Sequence, residues 1–162
     1  MLEHINMEKE GNPTPFEMIV SGLRDKAQLK ANVFDQCLDV FNQLKDVLSE
    51  LSNDLNDMLE EYSNNRRVRL EYRDRGRFEA ELKFADDVLI FSMHTDVFQF
   101  DRDHSIWKNP YVQEDPYRSY CGVINVYNFL YDSMKYNRTE DLGYLVARLF
   151  VNQQRHFFVE GK

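Results

Sequence analysis

Cysteine, glycine and proline are scarce in this chain of 162 residues, which contains two, six and four of them. Cys37 and Cys121 lie far apart and outside any Cys-x-x-Cys pattern, which argues against a disulfide framework and a structural zinc site. So few glycines leave little material for backbone loops that hold phosphate. The chain also lacks a nucleotide-binding fingerprint and the Gly-x-Ser-x-Gly and His-Glu-x-x-His motifs. We therefore predict reduced thiols and no cofactor.

Long apolar runs and excess positive charge are also lacking. No run of 18 apolar residues occurs, and the first residues, MLEHINMEKEGNPTPFE, contain no apolar core of a signal peptide. The formal net charge is −8, from 20 basic and 28 acidic residues, which disfavours general binding to nucleic acids or anionic lipids. We expect a cytoplasmic protein without a membrane association, whose partners are proteins.

Apolar and aromatic residues, at 43% and 14% of the chain, are abundant enough for a real core. The length suits one domain, or one domain with a projecting helix. We divide the chain into a flexible lead-in over 1–15, a helical region over 16–65 and a sheet region over 66–162. The sheet region includes a long aromatic loop over 101–120.

The helical region carries apolar residues in alternating steps of three and four, with only Lys30 out of character, which predicts a helix with a sustained apolar seam. The seam comprises Phe16, Val20, Leu23, Ala27, Phe34, Cys37, Phe41, Leu44, Leu48, Leu51, Leu55, Met58 and Tyr62. A straight helix from 16 to 62 would span about 70 Å. Such a helix must protrude from a domain of this size or break.

Apolar residues beside the seam, at Val33, Leu38, Val40 and Val47, make its middle too broad for a two-stranded coiled coil. We therefore expect the middle of the helix to be buried on several sides. Two arrangements stay open. Either one long helix is shared between two chains, or two helices fold against one another with a bend near 31–32 or 52–53.

From residue 66 the apolar period changes to two, which predicts a hairpin with a turn at Asp74-Arg75-Gly76. The segment VLIFSMHT predicts a third strand and DVFQF a fourth. Residues 101–120, rich in Tyr and Pro, predict a long ordered loop. For GVINVYNFLYDSMKYN we favour a helix, because its apolar residues repeat along one helical face. For 143–160 we favour a hairpin over a helix, because Tyr, Val and Phe are dense there.

Arginine is concentrated in the segment RRVRLEYRDRGRF. In a strand its members at alternate positions point away from Val68, Leu70 and Tyr72; they are Arg67, Arg69, Arg73, Arg75 and Arg77. Three interpretations compete: pairing with glutamates of the same sheet face, docking on an acidic surface of a neighbouring subunit or partner, and binding nucleic acid. Strand parity separates the arginines from Tyr72 and Phe78, which argues against the third.

Two further groups carry possible chemistry. The segment HTDVFQFDRDH contains residue types that bind divalent metals, and its candidates are His94, Asp101, Asp103 and His104. Cys121 would become a reactive thiol at the N-terminus of a helix that begins near Val123, with His104 or His156 as a base. An Asp-rich turn and an inert buried thiol explain the same residues. Cys37, on the seam, is expected in the core.

The aromatic loop offers the strongest candidate binding surface, through Trp107, Tyr111 and Tyr117, because aromatic side chains give large contact area at low entropic cost. Alternatively, the loop is a flap over a sheet face or edge.

Together these patterns predict an α+β fold, with a long N-terminal helix or helical hairpin on an antiparallel meander and a further helix in the C-terminal third. They favour a non-enzymatic interaction or assembly protein that forms homo-oligomers through its helical region. The alternative is a small-ligand or metal-dependent enzyme with its site around 94–104 and the aromatic loop.

Overall fold

A computed structural model describes residues 12–62 and 68–161 of the chain. Most of the lead-in, residues 1–11, lies outside this range. A single helix α1, Pro15–Tyr62, follows and contains 48 residues. Residues 16–62 thus lie in one continuous helix and not in two helices that meet near 31–32 or 52–53.

The start of α1 is set by a capping box, which the sequence Thr-Pro-Phe-Glu contains. The Thr14 backbone N–H and hydroxyl donate to the Glu17 carboxylate, and the Glu17 N–H donates back to the Thr14 hydroxyl oxygen. Pro15 occupies the first helical position, where its missing N–H costs nothing. These hydrogen bonds also lower the pKa of the Glu17 carboxyl.

In residues 12–62 and 68–161, seven strands form one sheet in which all neighbours are antiparallel, and the α+β class is confirmed. The strands are β1 Leu70–Asp74, β2 Glu79–Phe84, β3 Asp87–Met93, β4 Phe98–Gln99, β5 Tyr120–Leu130, β6 Tyr144–Asn152 and β7 Phe157–Gly161. Their order is β1-β2-β3-β5-β6-β7, and β4 pairs with the first residues of β5. The predicted hairpin at 143–160 is confirmed as β6 and β7.

Between β4 and β5 the chain makes two 3₁₀ turns, Ser105–Lys108 and Pro116–Ser119, around the short helix α2, Pro110–Glu114. The Asn109 side chain caps α2, and the Asp115 side chain caps the second 3₁₀ turn, because each accepts a backbone N–H of the element that follows it. The predicted ordered loop is therefore a chain of short helical turns. Another short helix, α3, Tyr131–Lys135, follows β5.

The helix predicted for GVINVYNFLYDSMKYN is wrong over most of its length. Residues 120–130 form β5, the strand that pairs with β3, β4 and β6. Five consecutive residues from Tyr120 are buried, and a strand covered on both faces shows a continuous apolar run rather than alternation. That run also fits a buried helical face, so its period could not distinguish the two.

The main core lies between α1 and one face of the sheet. Phe41 and Cys37 are fully buried there, against residues of β2, β3, β5 and β6. The core members from the sheet are Ala80, Leu82, Phe91, Met93, Ile124 and Val151. The prediction that Cys37 belongs to the core is confirmed.

The helix approaches the sheet most closely at Gly122. A Cβ atom built on Gly122 would lie 2.6 Å from the Cys37 Cβ and 2.7 Å from its Sγ. Glycine is therefore required by the packing distance.

The two edge strands of the sheet, β1 and β7, differ in what contacts their outer sides. At β1, the Asn56 side chain donates to the Leu70 carbonyl and accepts the Leu70 N–H, at 2.9 Å each, and the Ser52 hydroxyl also donates to that carbonyl. Helix α1 thus occupies backbone groups of this edge. At the other end β7 pairs with β6 on one side, and its residues Phe157 and Val159 are 70% and 53% exposed.

Within the described residues, no helix combines the length and the apolar character that crossing a bilayer requires.

Candidate interaction surfaces

Two arginines of the predicted cluster, Arg73 and Arg75, form ion pairs with glutamates of the sheet face that points away from α1. Arg75 Nη1 lies 2.7 Å from Glu81 Oε2, and Arg73 Nη1 lies 3.8 Å from Glu81 Oε1. Arg73 also lies 3.1 Å from Glu71, and Arg75 lies 3.2 Å from Glu79. The Glu81 side chain is 8% exposed and so forms the buried centre of the network. The observed contacts are those of the first interpretation, pairing within the sheet.

We expect Glu81→Gln to lower the free energy of unfolding by about 1–3 kcal/mol, because it removes charge-assisted hydrogen bonds at a buried position. Urea denaturation measures the change. Glu79→Gln is the matched control, since Glu79 contacts the same arginine from a 42% exposed position, and it should cost at most about 1 kcal/mol. Equal losses in the free energy of unfolding for the two variants would show that the burial of Glu81 adds nothing to stability.

Arg77 does not follow the predicted parity. Its guanidinium carbon lies 5.9 Å from the ring centre of Phe34 on α1 and 5.2 Å from that of Phe78. The reason is that 75–78 form the turn between β1 and β2, so strand alternation does not extend across them. Arg69 is exposed just before β1. Arg67 lies outside the described residues.

Direct ion pairing between α1 and the sheet uses charges other than the arginine cluster. Lys45, a buried lysine on α1, lies 2.9 Å from the exposed Asp74 carboxylate and also donates to the Gly76 carbonyl. The Lys45 ammonium and the Gly76 N–H lower the pKa of the Asp74 carboxyl. Arg155, after β6, contacts Asp39 at 2.5 Å.

The aromatic loop packs against the sheet face opposite α1. The Trp107 indole N–H donates to the Asp101 carbonyl, and the Tyr111 hydroxyl donates to Gln154 and accepts from Asn152. Tyr117 is 57% exposed. Two of the three predicted aromatic residues are thus held by internal hydrogen bonds, as in a flap, and Tyr117 presents its ring to solvent.

Under this flap lies a cavity of about 100 Å³. Its walls combine aromatic rings with polar groups, and they include Phe100, Tyr111, Arg118, Cys121, Asn152 and His156. The Arg118 guanidinium lies 4.2 Å from the centre of the Tyr111 ring and donates to Glu114. Its charge is therefore already matched within the flap.

The metal-ligand candidates do not converge. His94 Nδ1 accepts the Asp96 N–H, while His104 Nδ1 accepts the Ile106 N–H and its Nε2 lies 3.0 Å from Glu160. Asp101 and Asp103 are exposed and border an open depression with His104. In the part of the chain that the structure describes, no three His, Cys, Asp or Glu side chains are grouped to hold a metal ion.

Cys121 lies on β5, so the helix N-terminus predicted beside it is wrong. Burial raises the pKa of its thiol to about 12, with a smaller contribution from the Cys37 thiol. Burial likewise raises the pKa of Cys37 to about 12. Both cysteines are free. A thiol with such a pKa is protonated near neutral pH and is a poor nucleophile.

The first turns of α1 carry large apolar side chains in solvent. Phe16, Ile19, Val20 and Leu23 are between 48% and 74% exposed, and we call these four residues the helix stripe. The first core residue of α1 is Leu29. The helix stripe therefore belongs to a segment that extends beyond the sheet.

Sequence reasoning placed three residues of the helix stripe, Phe16, Val20 and Leu23, in the seam but did not single out Ile19, and it did not predict that β7 is an edge strand. The residues HFFVEG predict a strand, yet nothing in them indicates that the strand is the last of its sheet.

Comparisons of the chain with protein-family models, with curated proteins and with solved structures found no match.

Proposed function

We propose that this chain is a cytoplasmic, non-enzymatic interaction or assembly protein that associates with itself through the exposed start of α1. The observation that carries this proposal is the helix stripe. Exposed contiguous apolar surface on a soluble domain marks interaction sites, and four large apolar residues within eight positions of one helix form such a surface.

The helix stripe continues the line of the buried core residues. Steps of three and four connect Phe16, Val20 and Leu23 through Ala27 to Phe34, Cys37 and Phe41, with Lys30 as the one polar position between Ala27 and Phe34, so all lie on one face of an ideal helix. From Phe34 to Leu48 this face packs against the sheet, and over the helix stripe it is exposed. The same segment of a second copy would cover the exposed part by helix–helix packing along the seam.

We expect Leu23→Glu to raise the dissociation constant of the self-association at least about tenfold, because a carboxylate would be desolvated in the interface. Sedimentation equilibrium at micromolar to tens of micromolar concentration measures it. Met18→Glu is the matched control. Met18 is apolar and 61% exposed on the same segment, and five positions from Leu23 at 100° per residue place it about 140° around the helix.

A wild-type monomer at tens of micromolar would contradict the proposal. Equal weakening by Leu23→Glu and Met18→Glu would also contradict it, because a change independent of helix face reflects net charge. Circular dichroism of both variants checks that α1 is retained.

A further inference from the structure

Among the strands that the structure describes, β7 pairs with β6 alone, so the backbone groups along its other side have no strand partner there. Across the turn, the Asn152 N–H donates to the His156 carbonyl at 3.1 Å. Bonded and non-bonded pairs alternate along an antiparallel ladder, so the residues that bond to β6 are Phe158 and Glu160. Phe157, Val159 and Gly161 then direct their N–H and C=O groups away from the sheet.

This edge lacks the features that usually protect an edge strand. The sequence of β7, Phe-Phe-Val-Glu-Gly, contains no Lys, Arg or Pro. Its one charged residue, Glu160, is held 3.0 Å from His104. By contrast, the β1 edge carries Glu71, Arg73 and Asp74 and has the Leu70 backbone groups bonded to Asn56. One edge of the sheet is therefore charged and partly bonded to α1, and the other is suited to strand addition.

The strand is also complementary to a second copy of itself. In an antiparallel pair centred on Val159, each Phe157 lies opposite Gly161 of the second copy, and each Phe158 lies opposite Glu160. No like charges face one another, and an aromatic ring can cover each glycine. The outward groups of Phe157, Val159 and Gly161 match in this register, because residues directly opposite can exchange both hydrogen bonds.

We propose that two copies of the chain pair through β7 in antiparallel orientation, with the two-fold axis at Val159, and join their sheets into one. This interface is separate from the helix stripe and does not depend on it. It satisfies backbone groups on both strands and buries part of the exposed Phe157 and Val159 side chains.

Crosslinking tests the register. In the proposed pair the two Val159 Cα atoms are about 5.5 Å apart, within the range of a disulfide. We expect the Val159→Cys chain to form a covalent dimer under mild oxidation, since the native Cys37 and Cys121 are buried. Val68→Cys is the matched control, because Val68 is 52% exposed against 53% for Val159. Neither Val68→Cys nor Phe157→Cys should form a covalent dimer, and for Phe157→Cys the reason is that the two Cα atoms would lie more than about 7 Å apart in the proposed register.

A second test of the β7 interface introduces no cysteine and measures the dissociation constant instead. In a chain that carries Leu23→Glu, which weakens contact through the helix stripe, we expect Val159→Lys to raise the dissociation constant of the remaining dimer at least about tenfold. The reason is that two lysines would then face one another across the two-fold axis. Val68→Lys should leave the constant unchanged. Sedimentation velocity over a dilution series gives both values.

The outcomes separate this interface from the helix stripe. Association that survives Leu23→Glu and is lost with Val159→Lys supports the β7 interface, whether or not the helix stripe also mediates self-association. A Leu23→Glu chain that is already monomeric, or a Val159→Cys chain that crosslinks no more than Val68→Cys, would overturn it. Equal crosslinking of Phe157→Cys and Val159→Cys would also overturn it, because the register would then be wrong.

Discussion

Replacing Phe41 with alanine should lower the free energy of unfolding by about 3–5 kcal/mol. The Phe41 ring is fully buried between α1 and the sheet, in the same cluster as Leu82, Phe91 and Ile124. Truncation removes its transfer free energy and leaves a cavity that long elements on both sides cannot close. Equilibrium urea denaturation, followed by far-ultraviolet circular dichroism, measures the loss.

The same substitution at Phe16 provides the control. Phe16 lies on the same helix and is 74% exposed, so Phe16→Ala should change the stability of the monomer by at most about 0.5 kcal/mol. Measurement at submicromolar concentration keeps self-association from contributing. A loss below about 1 kcal/mol for Phe41→Ala would show that α1 is not packed on the sheet as described.

Gly122→Ala should lower the free energy of unfolding by about 1–3 kcal/mol, because the added methyl group would overlap Cys37 and force α1 away from β5. The predicted overlap, 2.6 Å between two Cβ atoms, involves no flexible chain end that could turn aside. Urea denaturation measures the change.

Gly22→Ala, the same substitution on α1, should act in the opposite direction. A Cβ atom on Gly22 would have no neighbour within 4 Å, and alanine is favoured over glycine inside a helix by about 0.5–1 kcal/mol. A stabilising Gly22→Ala together with a destabilising Gly122→Ala would confirm the packing distance between α1 and β5. A neutral Gly122→Ala would contradict it.

The sequence was sufficient to predict those elements whose apolar residues repeat with a clear period over neighbouring positions. Val68, Leu70 and Tyr72 alternate with charged residues, and they predicted the first hairpin, although its turn lies at 75–78 rather than at 74–76. The seam predicted α1, and the capping box at Thr14 and Glu17 is a signal that would have refined its start. The hairpin of β6 and β7 was also predicted, from its density of Tyr, Val and Phe.

Features that depend on several elements at once could not be predicted. Burial of β5 on both faces follows from α1 on one side and the aromatic loop on the other, and only this context makes its apolar run a strand. The exposure of Val159 follows from strand order, because the same residue in a central strand would be buried. Arg77 shows the limit of parity, which fails at the first turn.

The position of the two cysteines has a consequence for following the protein's motions. Cys37 on α1 lies against Gly122 of β5, and Cys121 faces the core beneath the aromatic loop. Each thiol is therefore a reporter of one layer: Cys37 becomes reactive when the helix leaves the sheet, and Cys121 when the loop lifts. Two variants, each with one of the two cysteines replaced, would keep a single thiol. The rates at which a small alkylating reagent labels them would show whether α1 or the aromatic loop opens first.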